Sequence, residues 1–333
     1  MPLDAAAGDA GRLADAGVVD PALLVHVPET RKMNELVAAV MPTVPSFGTP
    51  EGLAQLRAGI PAVGEPEPCP WAVDCTIPGP DGTDLVLRVL VPPEVTTPAG
   101  VYLDFHGGGW CIGSAGYEDK YNVALAEAAG VVVVSVDYRL APEHRWPAQA
   151  DDGEAAARWL VDEASSMWGT DRLVIGGHSA GAHLAAVTLL RLRDRVGSVA
   201  PFVGANLVYG CYDLGMTPSM RRGHDALVIP RRSIDAIFEH LLPGVDAEGR
   251  RDPSISPLYA DLDGMPPALF TVGTSDPLLD DSLFMAARWR AAGSPADLAV
   301  YPEATHSFPG YPTEMARLAN DRIHRFVTDL VTP

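Results

Sequence analysis

The chain has 333 residues, 47% of them hydrophobic, and its 43 acidic and 24 basic residues give a formal net charge of −19. This apolar content can form one large core with an appendage, whereas the acidic surface disfavours nucleic acid and anionic lipid as partners. The N-terminus lacks the basic start and apolar stretch of a secretory signal, and no apolar run reaches membrane-spanning length, so we expect a cytoplasmic protein without membrane insertion.

Four cysteines, Cys69, Cys75, Cys111 and Cys211, are spread along the chain. They are too sparse for a disulfide framework, and their spacing fits no zinc signature. We therefore expect reduced, partly buried thiols and no metal site.

The N-terminal region differs in composition and predicted structure from the rest of the chain. It is rich in alanine and predicts helices over 21–40 and 50–58, because Pro42 and Pro45 break the helical pattern between them. A connector rich in proline, glycine and glutamate follows over 61–70.

Strands and helices alternate after this connector. Runs of β-branched and apolar residues predict the strands, and apolar residues at helical spacing predict the helices between them. The alternation predicts an α/β fold with a mostly parallel central sheet and helices on both faces. The predicted strands are 84–92, 101–106, 131–139, 172–177, 205–210, 268–273 and 298–302, and the predicted helices are 117–129, 148–166, 180–193, 282–292 and 313–330.

The stretch 211–257 interrupts the alternation. It contains a predicted helix over 231–242, and a structureless loop of this length would be unusual in a compact domain. We therefore predict an inserted cap segment over 211–257, an N-terminal helical cap segment over 1–68, and an α/β core over 69–210 and 258–333.

A serine stands between a predicted strand and a predicted helix, in the sequence GHSAG from Gly177 to Gly181. The pattern G-x-S-x-G is weak alone but specific in a strand–turn–helix context, where it presents a nucleophilic serine on a strained turn. Glycines two residues before and after Ser179 remove Cβ atoms that would clash there. The alternative is that Ser179 only caps the helix.

A serine hydroxyl needs a base, and the chain order typical of this turn places that base late in the sequence. His306 follows the predicted strand 298–302, where its loop would face the serine. His178 is expected to point to the opposite face, and His183 lies on a helix that leads away from the turn. His324 is expected on a solvated face of the last helix.

An acid that orients the base is expected at the carboxyl end of a strand. Asp276 directly follows strand 268–273 and could hold the imidazole tautomer. Asp280 and Asp281 are close competitors, but their positions fit the first turn of the next helix better, where carboxylates suit the helix dipole.

Residues 105–114, FHGGGWCIGS, place three glycines directly after a predicted strand. Successive glycines let a loop approach a substrate and aim backbone N–H groups at the oxygen of a carbonyl under attack. A phosphate-binding loop is excluded, because G-x-G-x-x-G starting at Gly107 would need glycine where Ile112 stands.

The chain resembles the bacterial hormone-sensitive-lipase-like esterases, an HGGG-type family of the α/β-hydrolase fold. The matching residues are HGGGW at 106–110, DYRLAPEHRWPAQADD at 137–152, GHSAG at 177–181, DPLLDD at 276–281 and HSF at 306–308. They span most of the region from 100 to 310 in the family's order, which makes the combination specific.

This resemblance implies a serine carboxylesterase that hydrolyses short- to medium-chain carboxylic esters without metal or cofactor. It implies a catalytic triad of Ser179, Asp276 and His306. The implied oxyanion donors are Gly108, Gly109 and Ala180, with His106 and Gly107 in the supporting loop. Within 137–152, the implied role of Arg139, Glu143 and His144 is to brace the site.

Two positions depart from the family's usual residues. His178 stands where Asp or Thr is often found before the nucleophile, and Ser307 stands where Gly often follows the histidine. Neither departure removes a required group.

Two other functions stay open from the sequence. The same triad could serve an amidase or deacetylase, and a receptor that binds a small molecule without catalysis would belong to another class. The presence of His306 argues against the receptor. We expect a small-molecule ester as the substrate, and an edge strand near 298–302 would permit a homodimer.

Overall fold

The structure is a computed structural model that describes residues 13–59 and 69–332. Two parts of the predicted N-terminal cap segment lie outside the described residues, namely 1–12 and 60–68. The second part includes most of the predicted connector. No helix within the described part of the chain is long and apolar enough to cross a membrane.

Within the described residues, eight strands form one sheet in the order β1-β2-β4-β3-β5-β6-β7-β8. β2 runs antiparallel to its neighbours β1 and β4, and the remaining pairs are parallel. The predicted α/β fold with a mostly parallel sheet is therefore confirmed. The strands are β1 (Ala72–Pro78), β2 (Asp84–Leu90), β3 (Val101–Phe105), β4 (Val132–Val136), β5 (Leu173–His178), β6 (Phe202–Val208), β7 (Ala268–Gly273) and β8 (Ala296–Tyr301).

Seven of these strands lie where the sequence predicts them, with ends shifted by a few residues. Strand β1 was not predicted, because this outer strand is mostly exposed and has no regular apolar alternation. β8 is the outermost strand at the opposite side of the sheet, as the prediction of an edge strand requires.

Helices cover both faces of the sheet. On one face, Leu103 and Phe105 pack in a core with Leu160 and Leu184, and on the other face Tyr102 packs with Val327. The helices are α1 (Val27–Val40), α2 (Pro50–Arg57), α3 (Asp119–Ala129), α4 (Ala148–Trp168), α5 (Ala180–Val196), α6 (Pro218–Arg222), α7 (Arg231–Leu241), α8 (Leu279–Ala291) and α9 (Glu314–Val331).

Local sequence accounts for several helix boundaries. Gly130 ends α3 in the left-handed region at φ +64°, as predicted. Residues 21–26 form a 3₁₀ helix before α1, so the predicted helix over 21–40 has two parts. The short helix α6, which begins at Pro218, was not predicted.

Helix α2 of the N-terminal segment and the stretch 211–257 both lie beside the glycine run. The Arg57 guanidinium at the end of α2 donates to the carbonyl oxygens of Cys111 and Ala141. On α7, Ile237 lies where a Cβ on Gly109 would be, at 2.8 Å. These contacts place both segments where a cap is expected, and the division into cap and core stays a prediction.

A buried carboxylate ties the stretch 211–257 to helix α8 of the core. Asp281, in the first turn of α8, accepts hydrogen bonds from the N–H groups of Tyr212 and Asp213 at 2.6 and 2.9 Å. It also accepts one from the Thr217 hydroxyl at 2.6 Å. The position of Asp281 in the first turn was predicted from the helix dipole, but its side chain bonds to residues at the start of the inserted segment.

Removing this carboxylate should destabilise the protein. Asp281→Ala leaves two buried N–H groups and a hydroxyl without an acceptor, so we expect a loss of roughly 3 kcal/mol in the free energy of unfolding. Urea unfolding followed by tryptophan fluorescence measures it. Asp280→Ala is the control, since Asp280 is half-buried and accepts from Ser219 N at 2.6 Å, and it should cost about 1 kcal/mol. Equal losses in the two variants would contradict the anchoring role.

Candidate active site

Ser179 lies on a strained turn between β5 and α5, at φ 56° and ψ −116°. A Cβ on Gly181 would lie 1.8 Å from the carbonyl oxygen of Phe105, and one on Gly177 would lie 2.3 Å from the same atom. Only glycine fits either position, as the sequence analysis predicted. Ser179 makes no side-chain capping hydrogen bond, so the helix-cap alternative is wrong.

Three predicted side chains form a continuous chain of hydrogen bonds. His306 Nε2 lies 3.0 Å from Ser179 Oγ, and His306 Nδ1 lies 2.8 Å from Asp276 Oδ2. The other oxygen of Asp276 accepts the N–H of Leu278 at 2.8 Å, which fixes the carboxylate. Both His306 and Asp276 are buried, and the ring of Tyr209 packs against His306 with centroids 4.6 Å apart.

The other candidate histidines lie elsewhere. His183 is buried, with Nδ1 accepting from Trp110 Nε1 at 3.2 Å and Nε2 donating to Ile255 O at 2.7 Å. Burial lowers the pKa of His183 to about 4, so it stays neutral. His324 is half-buried beside α3, and the expectation of a solvated face is wrong.

The glycine run turns back on itself beside Ser179. Gly108 and Gly109 have φ values of +112° and +60°, and a Cβ on Gly108 would lie 2.2 Å from Ile112 O. Among the described contacts, the N–H groups of Gly108, Gly109 and Ala180 have no hydrogen-bond acceptor. The N–H of Gly107 instead donates to Glu118 Oε1 at 3.2 Å.

The segment 137–152 supports this loop. The ring of Tyr138 stacks on His106 at 4.1 Å between centroids, and its hydroxyl donates to His106 O. Arg139 pairs with Asp152 at 2.8 Å. Glu143 accepts from both terminal nitrogens of Arg57 at 2.7 Å, and the backbone carbonyl of His144 accepts from Gln149.

The cysteines are free thiols, as predicted, and three of the four are buried. Burial raises the pKa of Cys111, next to the glycine run, to about 12, so this thiol is unreactive at neutral pH.

A cavity of about 100 Å³ with several polar residues in its lining lies behind the turn, on the side of the sheet covered by α3 and α9. Asp104, from β3, lines it and accepts from Asn122 at 2.9 Å and Ser135 at 2.7 Å. Burial raises the pKa of Asp104 to about 6. His178 also lines this cavity, on the opposite side from Ser179 Oγ as predicted, and burial lowers its pKa.

Sequence reasoning missed Glu118 and Tyr209 as neighbours of the site. Glu118 is buried and contacts both the glycine run and His178, while Tyr209 packs between His178 and His306. No motif marks either residue. Glu118 reaches the glycine run from the turn before α3, 11 residues along the chain, and Tyr209 directly follows β6. Burial raises the pKa of Glu118 to about 7.

Comparison with known proteins agrees with this fold. Residues 102–310 match a family model described as an alpha/beta hydrolase fold. Carboxylesterase NlhH of Mycobacterium tuberculosis is 38% identical over 239 residues, which cover 70% of this chain and 74% of that protein. An ethyl acetate hydrolase of Pseudomonas putida is 34% identical, covering 68% of this chain and 72% of that protein. The solved structure of a bacterial heroin esterase aligns with a TM-score of 0.81 and 27% identity, covering 89% of this chain and 97% of that one.

The fold and these likenesses define the class of protein as an α/β hydrolase. Within that class, the chain belongs to the hormone-sensitive-lipase-like esterases, which are carboxylic ester hydrolases. The resemblance found from its motifs is thereby confirmed.

The residue after His306 should limit stability. Ser307 adopts the left-handed region at φ +64°, which costs a non-glycine residue about 1–2 kcal/mol, while glycine costs about 0.5–1 kcal/mol in chain entropy. We expect Ser307→Gly to raise the free energy of unfolding by about 0.5–1 kcal/mol, measured by urea unfolding. Ser307→Ala keeps the strain and should give no gain. A gain from alanine equal to that from glycine would contradict this explanation.

The buried Asp104 should make stability depend on pH. Its pKa is raised in the folded state, so folding favours the protonated form and stability falls as pH rises from about 4 through about 6. Asp104→Asn removes this titration. Its stability relative to the unchanged protein should therefore increase by roughly 1 kcal/mol between about pH 5 and pH 7.

Urea unfolding across this range measures the difference. Asp297→Asn, at an exposed carboxylate on β8, is the control and should give a flat difference. A flat difference for Asp104→Asn as well would exclude the proposed titration.

Proposed function

We propose that this carboxylic ester hydrolase is a serine enzyme that cleaves short- to medium-chain carboxylic esters through an acyl-enzyme. The observation that carries the proposal is the chain of hydrogen bonds from Ser179 through His306 to Asp276, beside three N–H groups without acceptors. The ethyl acetate hydrolase among the relatives supports the short end of the acyl range.

In the first half of the reaction, His306 Nε2 takes the Ser179 proton as Oγ attacks the ester carbonyl carbon. The carbonyl oxygen becomes an oxyanion that accepts from the N–H groups of Gly108, Gly109 and Ala180. Such donors act on charge that develops in the transition state, and each is worth about 3–4 kcal/mol of barrier. His306 then gives its proton to the leaving alcohol, which departs and leaves the acyl group on Oγ.

In the second half, water enters where the alcohol left. His306 takes a proton from this water, whose oxygen attacks the acyl carbon, and the same N–H groups hold the second oxyanion. The acid leaves when His306 returns the proton to Ser179 Oγ. Asp276 accepts the His306 Nδ1–H throughout and stabilises the imidazolium. The hydrogen bond from Leu278 N–H to the other oxygen of Asp276 keeps this carboxylate in place.

The first experiment is hydrolysis of p-nitrophenyl esters of increasing acyl length by the unchanged protein and by Ser179→Ala. We expect turnover to fall with chain length and kcat to drop at least about a thousandfold in the variant, since removing the nucleophile leaves only residual catalysis. Ser198→Ala, at an exposed serine far from the site, is the control and should retain full activity.

Ester turnover by Ser179→Ala at the unchanged rate would disprove the assignment of the nucleophile. A matched p-nitroanilide series separates the amidase alternative, because an amide leaving group depends more strongly on protonation by His306. Faster cleavage of anilides than of esters would favour that alternative.

A further inference from the structure

A single buried carboxylate contacts the two loops that carry the proposed reaction. Glu118 lies at the end of the 3₁₀ turn Ala115–Glu118, just before α3, and is 5% exposed. Its Oε1 accepts the N–H of Gly107, the residue before the two glycines proposed as oxyanion donors, at 3.2 Å. Its Oε2 faces His178 Nδ1, in the residue before Ser179, at 3.4 Å.

The two loops also touch directly at this point. A Cβ on Gly107 would lie 3.3 Å from the backbone carbonyl oxygen of His178 and 3.6 Å from Glu118 Oε1. Three residues from three separate elements therefore meet behind the site. Glu118 contacts both of the others, through a hydrogen bond from Gly107 N–H and a 3.4 Å approach to His178 Nδ1.

We infer that Glu118 is a positioning residue. Its carboxylate accepts the N–H of Gly107 and thereby holds the glycine run, with its proposed oxyanion donors, in a fixed position relative to Ser179. The inference rests on the proposed function. Two facts support it. Gly108 and Gly109 follow Gly107 directly in the chain, so a rotation at Gly107 redirects the N–H groups of both. The Gly107 N–H itself is turned away from the substrate side, toward Glu118.

The contact with His178 explains why a histidine is compatible with the position before the nucleophile. The ring lies between Tyr121 and Tyr209, with centroid distances of 5.0 and 5.7 Å, and Glu118 faces its Nδ1. A carboxylate at 178 would instead face Glu118 across a buried contact, where like charges repel. The two positions therefore have complementary chemistry.

Three substitutions at one site test the inference. Glu118→Met fills the volume but removes both oxygens, Glu118→Gln keeps an acceptor for Gly107 N–H, and Glu118→Asp keeps the charge but is one methylene too short to reach it. The matched control is Asp104→Asn, which neutralises a neighbouring buried carboxylate that bonds to Asn122 and Ser135 and not to the loop.

Hydrolysis of p-nitrophenyl acetate is measured with the concentration of active sites set by titration with a covalent phosphonate. We expect kcat to fall about tenfold or more in Glu118→Met with KM within about twofold, because the loop's donors act only in the transition state. Glu118→Gln should stay within about threefold of the unchanged kcat, Glu118→Asp should fall several-fold, and Asp104→Asn should be unaffected.

A purely structural role predicts a different result. It would lower the melting temperature and the fraction of active sites but leave kcat per active site unchanged, and that outcome overturns the inference. A Glu118→Gln variant as impaired as Glu118→Met also overturns it, since the acceptor would then not be what matters. If Glu118→Met does not fold, Glu118→Asp decides, and an unchanged kcat there overturns the inference.

The inference can fail separately from the proposed function. If Ser179→Ala is inactive and Glu118→Met keeps the unchanged kcat, only the positioning role falls. If Ser179→Ala retains turnover, the proposed function falls and this inference falls with it.

Discussion

The close approach of the backbone around Phe105 is the constraint on which the site depends. The carbonyl oxygen of this residue lies where a Cβ on Gly177 or Gly181 would be, at 2.3 and 1.8 Å. β3 and β5 are paired neighbours, so the end of β3 and the turn after β5 are held at one edge of the sheet. The glycine run leaves β3 at that edge and thereby reaches Ser179. Strain at the turn is sustained because both strands are buried on both faces.

The sequence predicts this part of the molecule well, because its signals are local. The strand–turn–helix around Ser179 and the glycines at 177 and 181 each have a steric cause that a short stretch displays. The pairing of His306 with Ser179, 127 residues away, and with Asp276, 30 residues away, follows from the topology, since parallel strands bring their carboxyl ends to one edge. Their roles in catalysis remain proposals.

Features that depend on non-local packing were missed. β1 is an exposed outer strand, so no buried face imposes an alternating pattern on it. Asp281 fits a helix N-terminus by its position, but its three acceptor contacts come from residues some 65 positions away, which no local pattern records. His324 shows the same limit, because α3 covers a helix face that the sequence alone would leave to solvent.

The packing behind the Ser179 turn includes buried polar groups and is not purely apolar. β3 is fully buried yet carries Asp104, and β6 carries Asn206, whose amide donates to the Tyr102 hydroxyl. Buried polar groups are costly unless they are bonded, but once bonded they fix a single arrangement more strictly than apolar packing does. Oxyanion donors must point correctly before charge develops. The proposed role of Glu118 meets that requirement, since Gly107 cannot move without losing its hydrogen bond to this carboxylate.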